Sequence, residues 1–238
     1  MTENVSTMAP FSHVHPDDIH LLMNAARDMK MDVPVKEMEI RIAGNDGHYL
    51  WCRVRIALQD TRKSGRKRAI GVISDIDKEK RNVDMLVQKA LYDALTGLYN
   101  KAAAEELGGK FIEKAMQDSP CAFMIIDLDN FKYINDVYGH LSGDVLLSDI
   151  AVLLKRTFRA GDIVGRIGGD EFVIIMPGAR SQDVIADKFE QIKEKMEEFL
   201  ERDGYMLSCS AGVAFAPLDG NDYKKLYKNA DLHFTRRK

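Results

Sequence analysis

Two glycines and two acidic residues stand together in the stretch Arg166-Ile167-Gly168-Gly169-Asp170-Glu171-Phe172. Apolar residues flank this stretch, with Val164 before it and Val173 to Met176 after it, so the pattern predicts a hairpin whose turn is Gly168-Gly169. Glycine lets a large anion approach the main chain, and carboxylates hold the hard cation that would neutralise such an anion. Taken alone, the stretch fits an ordinary solvated turn equally well.

Another acidic residue, Asp127, ends the apolar run Cys121 to Ile126, which is typical of a strand buried on both faces. The same sheet is expected to place Asp127 beside Asp170 and Glu171, so that three carboxylates converge. Buried charges without a partner are costly, and a divalent cation explains such a cluster economically. Oxygen ligands without nearby Cys or His favour Mg²⁺ or Mn²⁺ over zinc. Asp127 alone also fits a helix N-cap.

Residues suited to a nucleotide surround these acids. Backbone N–H groups at Gly168-Gly169 and at the turn Asp129-Asn130-Phe131 are candidate phosphate contacts, and Lys132 adds a positive charge. Asn135 and Asp144 suit a purine edge. A carboxylate can accept hydrogen bonds from both the N1–H and the exocyclic amine of guanine, whereas adenine does not offer this pair of donors. No P-loop motif occurs in the sequence. Individually, these polar residues also fit caps or surface positions.

The composition limits the classes of protein to consider. The chain has 238 residues, 45% of them hydrophobic, which suits one large or two small domains with real cores. Its net charge of −3 argues against a non-specific nucleic-acid binder. Cys52, Cys121 and Cys209 lie far apart in apolar runs and are predicted to be core thiols. Neither a secretory signal nor a run of about 18 apolar residues is visible, so we expect a cytoplasmic location with no membrane segment in this stretch.

The first third of the chain predicts a helix followed by two hairpins. The helix begins at His15-Pro16-Asp17-Asp18 and runs to about Met29. A basic cluster surrounds the second hairpin turn, and we interpret it as a solvated loop tip. The predicted strands are 35–43, 49–58 and 68–76, the turns are Asn45-Asp46-Gly47 and Ser64-Gly65, and the basic cluster is Arg62, Lys63, Arg66, Lys67 and Arg68.

The helix start, the Asp46-Gly47 turn, Trp51 and the closing stretch Gly71 to Asp77 resemble the C-terminal half of a PAS sensor domain, over about residues 11–80. The first strands and helices of that family, which supply part of its ligand pocket, are missing. Either the sequence starts inside such a domain, or this is a reduced module that transmits without sensing. We therefore expect residues 1–77 to form a partial PAS-like sensory module of α/β type.

Residues 78–92 are predicted to form a linker helix, because they contain no Gly or Pro and their apolar residues recur at a spacing of three to four. These apolar residues either pair with a second copy in a dimer or pack on their own domain. They are Val83, Leu86, Val87, Ala90 and Leu91.

Residues 93–238 predict a domain of the α+β class, with helices on one face of a mostly antiparallel sheet. A helix that begins at Asp144 should bury Leu146, Leu147, Ile150, Leu153, Leu154 and Phe158. The predicted elements are a helix at 101–117, the strand at 121–126, a helix carrying Phe131, Ile134 and Tyr138, the Asp144 helix, the hairpin, a helix at 181–202, a strand at 206–216 and a helix at 221–237.

Several motifs in order make residues from about 91 to 238 resemble a GGDEF domain, the diguanylate cyclase family. This family has a ferredoxin-like palm related to nucleotidyl cyclases, and it condenses two GTP into cyclic di-GMP, a bacterial second messenger, with release of two pyrophosphates. The motifs are Asp93-x-Leu95-Thr96-Gly97-Leu98-x-Asn100; Asp127-Leu128-Asp129-x-Phe131-Lys132-x-Ile134-Asn135-Asp136-x-Tyr138-Gly139-His140-x-x-Gly143-Asp144; Arg166-x-Gly168-Gly169-Asp170-Glu171-Phe172; and Ser210-Ala211-Gly212-Val213-Ala214.

The resemblance implies a role for each matching position. Two Mg²⁺ or Mn²⁺ ions per GTP site would be held by Asp127, the carbonyl of Leu128, Asp170 and Glu171, and the catalytic candidates are Asp170, Glu171 and Lys132. Each domain holds one GTP, so the resemblance also implies a homodimer for catalysis. The implied substrate-binding residues are Asn130, Phe131, Lys132, Asn135, Asp144, Gly168, Gly169 and Lys238.

Two further features bear on the resemblance. Arg159-Ala160-Gly161-Asp162 matches the RxxD site at which the family binds its product as an inhibitor; an Arg at a helix C-terminus followed by a turn fits the same spacing. The chain departs from the family at its end, where His233, Thr235 and Arg237 replace apolar or aromatic positions.

The alternatives to an active cyclase are a non-catalytic receptor for GTP or cyclic di-GMP that acts through a protein partner, and another GTP-using cyclase.

Overall fold

The computed structural model of the chain describes residues 12–28, 35–60, 67–115, 120–179, 182–203 and 208–232. The chain divides into two compact units, residues 1–86 and 87–238. The boundary between the units falls inside α2 (Asp77–Leu91), the helix that the sequence predicts as the linker.

Unit 1 is a three-stranded antiparallel sheet with a helix. A short 3-10 turn (Pro16–Asp18) leads into α1 (Ile19–Asp28). The strands β1 (Val35–Ala43), β2 (Tyr49–Asp60) and β3 (Lys67–Asp75) follow one another in the order β1-β2-β3. Both predicted hairpins are therefore confirmed. The second turn, Ser64-Gly65, and three of the five basic residues, Arg62, Lys63 and Arg66, lie outside the described residues.

An ion pair fastens the first helical turn of unit 1 to β1. The Asp18 carboxylate accepts hydrogen bonds from the backbone N–H, Nε and Nη2 of Arg41, at 2.8, 2.9 and 2.8 Å. These hydrogen bonds outweigh the cost of burial and lower the pKa of Asp18 from 3.8 to about 2. The indole ring of Trp51 lies within cation–π distance of both Arg41 and Lys80, at 5.4 and 5.3 Å from the ring centroid.

The predicted linker helix forms and exposes its apolar residues. α2 begins at Asp77, one residue before the predicted start. Val83 and Leu86 are 56% and 66% exposed in the single chain, and Val87 is 46% exposed.

Unit 2 contains a four-stranded antiparallel sheet. Its strands lie in the order β5-β6-β4-β7. From β4 to β7 the succession of strand, helices, two strands, helix and strand is that of a ferredoxin-like fold, which confirms the predicted class. The elements are α3 (Lys101–Ala115), β4 (Cys121–Asp129), α4 (Phe131–Tyr138), α5 (His140–Thr157), β5 (Ile163–Arg166), β6 (Glu171–Pro177), α6 (Gln182–Asp203), β7 (Ser208–Ala216) and α7 (Tyr223–Leu232).

The sheet of unit 2 is covered by helices on both faces, so the prediction of helices on one face is wrong. Alternate residues of β4 explain the difference, because successive side chains of a strand point to opposite faces. Met124 and Ile126 pack in one cluster with residues of α4, α5 and α6. Phe123 and Ile125 pack in a second cluster with residues of α3 and α7.

The start of α5 also differs from the prediction. This helix begins at His140 rather than Asp144, because Gly139, at a positive φ of 85°, ends α4 and opens α5 immediately. The apolar residues predicted to face inward do so: five are buried and Leu153 is partly buried against the core. They are Leu146, Leu147, Ile150, Leu153, Leu154 and Phe158.

Two predictions concern the chain as a whole. Cys52, Cys121 and Cys209 are buried thiols without disulfides, as expected. Within the described part of the chain, no helix combines the length and the apolar character needed to cross a bilayer.

Candidate functional site

Two carboxylates face each other across neighbouring strands at one end of the sheet of unit 2. The β4–β6 register sets Asp127 directly opposite Glu171, and both residues are half-buried. The N–H of Leu128 donates to the carbonyl of Asp170 at 3.3 Å, which extends the contact into the turn. Like charges at directly opposed positions destabilise a sheet, whereas a bound cation would reverse that effect.

The predicted hairpin turn forms, and its two glycines differ in their surroundings. The N–H groups of Ile167 and Gly168 both donate to the carbonyl of Glu171, at 2.9 and 3.4 Å, and close the turn. A Cβ on Gly168 would lie 2.6 Å from Glu171 Oε2, whereas a Cβ on Gly169 would meet nothing within 4 Å. Gly168 thus leaves room for the Glu171 carboxylate, and Gly169 leaves the outer side of the turn open for an approaching group.

Arg166 fastens this turn to the start of the domain. Its Nε and Nη2 donate to the carbonyl of Gly169 at 3.2 and 2.8 Å, and its Nη1 donates to Asp93 Oδ1 at 3.1 Å. Asp93 also accepts hydrogen bonds from the N–H and hydroxyl of Thr96. Burial raises the pKa of Asp93, but the hydrogen bonds from Thr96 and Arg166 outweigh burial, and the net pKa is lowered. Both Asp93 and Arg166 occur in the motifs, but the sequence did not predict this contact.

The turn after β4 leads into α4 through a left-handed residue, Asn130, with φ at 60°. Asp129, just before it, accepts hydrogen bonds from the hydroxyls of Ser208 and Ser210 on β7, at 2.7 and 2.8 Å. These contacts occupy one lone pair on each carboxylate oxygen and hold the turn against the sheet. The sequence did not single out either serine for this role, because only the sheet register brings β7 beside Asp129.

The candidate phosphate contacts around this turn have different exposures. Phe131 is buried in the core, so only its backbone is suited to contact a ligand. Lys132 is exposed on the first turn of α4.

The two candidate guanine-reading residues come from α4 and α5, which pack against each other. The Oδ1 of Asn135 lies only 2.1 Å from where a Cβ on Gly143 would stand. Gly143 therefore lets the Asn135 amide approach α5 at the residue preceding Asp144. Asn135 is half-buried and Asp144 is exposed, which suits an edge that a base reaches from solvent.

Tyr227 of α7 is a further neighbour of the carboxylates that the sequence did not predict. Its hydroxyl and Glu171 Oε1 lie 3.4 Å apart. Burial and the nearby negative charge of Glu171 raise the pKa of Tyr227. The phenol therefore stays protonated and can donate to Glu171.

The donor set fits Mg²⁺ when substrate phosphates complete it. Among the residues with described positions, no group of three His, Cys, Asp or Glu side chains is arranged to hold a metal, so the expected convergence of three carboxylates is not seen. Asp127 and Glu171 supply two carboxylates in register, and the carbonyl of Leu128 follows Asp127 directly in the chain. Mg²⁺ is commonly held by one or two carboxylates together with substrate phosphates and water.

Arg159 follows Phe158, the C-cap residue of α5, and a turn follows at Ala160-Gly161, as the helix-terminus alternative also expects. Arg159 Nε donates to Asp162 Oδ1 at 3.0 Å, and its Nη2 donates to the carbonyl of Pro177. The Asp162 side chain is 3% exposed, whereas that of Arg159 is 67% exposed. Both residues line a cavity of about 390 Å³ that also includes Tyr92.

The predicted phosphate-binding residue Lys238 lies outside the described residues, as do the departures at His233, Thr235 and Arg237.

Comparison with curated proteins finds relatives in cyclic di-GMP metabolism. The chain is 34% identical over 187 residues to the cyclic di-GMP phosphodiesterase NbdA of Pseudomonas aeruginosa, covering 77% of this chain and 23% of that protein. It is 33% identical over 156 residues to the diguanylate cyclase DgcP of the same organism, covering 63% of this chain and 23% of that protein. The chain thus spans about a quarter of the length of these curated relatives.

Solved structures share the fold of about two thirds of this chain. A microbial GGDEF domain described in an interaction with cyclic di-GMP is 34% identical, with a TM-score of 0.54 over 62% of this chain and 89% of that one. The diguanylate cyclase SiaD of Pseudomonas aeruginosa, solved with its activator SiaC, is 29% identical, with a TM-score of 0.55 over 66% of this chain and 61% of that one. The family model described as "Diguanylate cyclase, GGDEF domain" matches residues 90–238, and the chain therefore belongs to the GGDEF family.

Proposed function

We propose that this chain is a Mg²⁺-dependent diguanylate cyclase that condenses two GTP into cyclic di-GMP and two pyrophosphates. The observation that carries the proposal is the cross-strand pair Asp127–Glu171, which lies beside a glycine turn with one open side. Two opposed carboxylates are unfavourable for a simple structural role and favourable for holding a cation beside a triphosphate.

The proposed metal ligands are Asp127, the carbonyl of Leu128, Asp170 and Glu171. A bound Mg²⁺ or Mn²⁺ pair supplies activation of the ribose 3′-hydroxyl and neutralisation of charge on the triphosphate. The chain's own contribution is orientation: Arg166 fixes the carbonyl of Gly169, Gly168 leaves space for Glu171, and Tyr227 lies at hydrogen-bond distance from Glu171. With these groups fixed beforehand, less reorganisation is needed when GTP binds.

The nucleotide itself is proposed to lie along the start of α4. Backbone N–H groups at Asn130 and Phe131, together with the exposed Lys132, face the triphosphate, and the Asp129 contacts with two serines hold that turn. The Asn135 amide can accept and donate along the guanine edge, and the Asp144 carboxylate accepts from the N1–H and the exocyclic amine, a pattern that adenine does not match.

Catalysis is proposed to require a homodimer, because each domain holds one GTP and the 3′-hydroxyl of one nucleotide attacks the α-phosphate of the other. The exposed apolar residues of α2 support a role for that helix in bringing two copies together. Unit 1 is proposed to be a partial PAS-like module that controls this step.

Cyclic di-GMP is also proposed to bind at Arg159 and Asp162 as an inhibitor. The Arg159 guanidinium is exposed beside the 390 Å³ cavity, which supports this role. Its hydrogen bonds to Asp162 and to the carbonyl of Pro177 hold the guanidinium in place. The remaining N–H groups can donate to a guanine edge or a phosphate.

The second candidate function is a non-catalytic receptor for GTP or cyclic di-GMP. The diguanylate cyclase SiaD, solved with its activator SiaC, is an example of a family member bound to another protein. The presence of Asp127, Lys132, Asp170 and Glu171 favours the enzyme, since a receptor does not need every metal-binding and catalytic position.

Nucleotide analysis separates the two candidates. The chain, verified as a dimer, is incubated with GTP and Mg²⁺, and the products are separated by chromatography. The enzyme yields cyclic di-GMP and pyrophosphate in a 1:2 ratio, and Asp170→Asn abolishes this product while its circular dichroism spectrum stays that of the parent. GTP binding without product from the verified dimer would support the receptor instead.

A further inference from the structure

A cavity of about 240 Å³ lies between α3 and α7 of unit 2, beside the glycine turn. It shares no lining residue with the cavity beside Arg159. Two of its lining residues also contact Glu171, because Ile167 N–H donates to the Glu171 carbonyl and the Tyr227 hydroxyl lies 3.4 Å from Glu171 Oε1. An occupant of this cavity therefore touches the turn that carries the proposed metal ligands. The lining residues are Lys101, Glu105, Ile167, Tyr223, Lys224 and Tyr227.

Two tyrosine rings form one wall of this cavity. Tyr223 and Tyr227 lie four residues apart on α7, so their side chains share a face of the helix. Tyr223 is held in place, because its ring packs edge-on against Phe123 at 5.0 Å and lies 3.3 Å from where a Cβ on Gly108 would stand. Together with Ile167, these rings suit the flat apolar body of an aromatic ligand.

The Tyr223 hydroxyl is buried and has no hydrogen-bond partner among the residues that the structure describes. Burial, and then the nearby charge of Glu105, raise the pKa of Tyr223, so the phenol keeps its proton. A buried donor without a partner costs stability, and such a group in a native protein calls for an explanation. An acceptor on an occupant of the cavity would remove that cost.

Two lysines at the cavity carry positive charges that no described acidic residue neutralises. Lys101 and Lys224 are exposed and make no ion pair within the described ranges, although Glu105 stands four residues after Lys101 on α3. Lys110, further along the same helix, does pair with Glu106, at 2.7 Å. The two ammonium groups at the cavity are therefore available to an anionic ligand, and a carboxylate would form charge-assisted hydrogen bonds with them.

We propose that this cavity binds a small aromatic carboxylate with a hydroxyl group at the opposite end of its ring. The ring packs against Tyr223, Tyr227 and Ile167. The carboxylate binds Lys101 and Lys224, and the ligand hydroxyl accepts a hydrogen bond from Tyr223. A volume of about 240 Å³ lies below the range of about 300–1,000 Å³ for drug-sized ligands, which favours a single ring over a nucleotide. The site does not depend on the cyclase activity proposed above.

Titration calorimetry of the full chain with 4-hydroxybenzoate tests the site. We expect a dissociation constant of about 1 mM or tighter, since a single charged ring gains only modest affinity. Replacing both cavity lysines, by Lys101→Met with Lys224→Met, should weaken binding about 10-fold or more. The matched control, Lys110→Met with Lys228→Met, removes the same charge from exposed positions of the same two helices, and its affinity should stay within about twofold of the parent.

Benzoate and inorganic phosphate separate the contributions of the hydroxyl, the ring and the charge. The parent should bind 4-hydroxybenzoate about 3-fold or more tightly than benzoate, and Tyr223→Phe should remove that preference. Tyr223→Phe should not lower the unfolding midpoint, because the hydroxyl has no partner to lose among the described residues. Phosphate carries charge but no ring, and it should not displace 4-hydroxybenzoate at equal concentration.

Four results would overturn the proposal. They are no binding of 4-hydroxybenzoate by the folded parent at about 5 mM, equal affinity of the cavity and control lysine variants, displacement by equimolar phosphate, and a preference for 4-hydroxybenzoate over benzoate that survives in Tyr223→Phe.

Discussion

Removal of the Arg166 guanidinium is expected to loosen the glycine turn and to destabilise unit 2 without affecting unit 1. Arg166→Met keeps most of the aliphatic stem but loses both hydrogen bonds to the carbonyl of Gly169 and the ion pair with Asp93. The side chains of Arg166 and Asp93 are only 14% and 26% exposed, so solvent screens their ion pair weakly. Hydrogen bonds to charged groups are worth about 1.5–3 kcal/mol each. The two bonds to Gly169 are exposed and contribute little, and Asp93 keeps its bonds from Thr96, so we expect a total loss of about 2–3 kcal/mol.

The position of the single tryptophan makes this effect measurable. Trp51 is the chain's only Trp and lies in unit 1, so its fluorescence reports the unfolding of unit 1 by urea, whereas far-UV circular dichroism also follows the longer helices of unit 2. Arg166→Met should move the circular dichroism transition to lower urea and leave the fluorescence transition in place. Arg156→Met, at an exposed position of α5, is the matched control and should change stability by less than about 0.5 kcal/mol.

A double-mutant cycle with Asp93→Asn isolates the ion pair. The coupling free energy is expected to be about 1–2 kcal/mol, since the pair is largely buried and hydrogen-bonded. Additive effects of Arg166→Met and Asp93→Asn, or a loss of stability no larger than that of Arg156→Met, would refute the assignment of Arg166 as the residue that fastens the turn.

Three further expectations rest on other contacts. The low pKa of Asp18 implies that its ion pair with Arg41 stabilises unit 1 fully above about pH 4 and that this contribution is lost as the pH falls towards 2. Asp18→Asn should therefore flatten the acid dependence of Trp51 fluorescence between these pH values. An unchanged profile would contradict the ion-pair assignment. Asp144→Asn should raise the KM for GTP about 10-fold or more and weaken discrimination against ITP, which lacks the exocyclic amine; unchanged selectivity would remove Asp144 from the guanine edge. Arg159→Ala should weaken cyclic di-GMP binding, measured by titration calorimetry, at least 10-fold, whereas Arg156→Ala should not; equal affinity of the two variants would exclude the RxxD site.

Local sequence patterns predicted the elements well where each segment has one dominant signal. The Asn45-Asp46-Gly47 turn fixed the first hairpin, whose first strand has the predicted bounds of 35–43. The apolar run at 121–126 marked a strand buried on both faces, and that observation already implied the two helical layers that the one-faced prediction missed. The predicted start of α5 at Asp144 is wrong because the positive φ of Gly139 already separates α4 from α5, so the helix begins at His140.

The site depended more on tertiary register than the fold did. The motifs identified Asp127 and Glu171, but only the β4–β6 register sets them in direct opposition. The contacts of Asp129 with Ser208 and Ser210 join residues about 80 positions apart, and Arg166 reaches Asp93 over a similar separation. Such hydrogen bonds leave no periodic signal in a single sequence, because they depend on where the strands end rather than on local spacing.

Binding of Mn²⁺, followed by electron paramagnetic resonance in the presence of a GTP analogue with a non-hydrolysable α–β bridge, tests the central claim most directly. Asp127 and Asp129 lie two residues apart on β4, and the hydroxyls of Ser208 and Ser210 hold Asp129. Asp127→Asn is expected to weaken Mn²⁺ binding at least 10-fold, and Asp129→Asn should stay within about threefold of the parent. Equal Mn²⁺ affinity in the parent and Asp127→Asn, with both chains folded, would contradict a metal site at the Asp127–Glu171 pair.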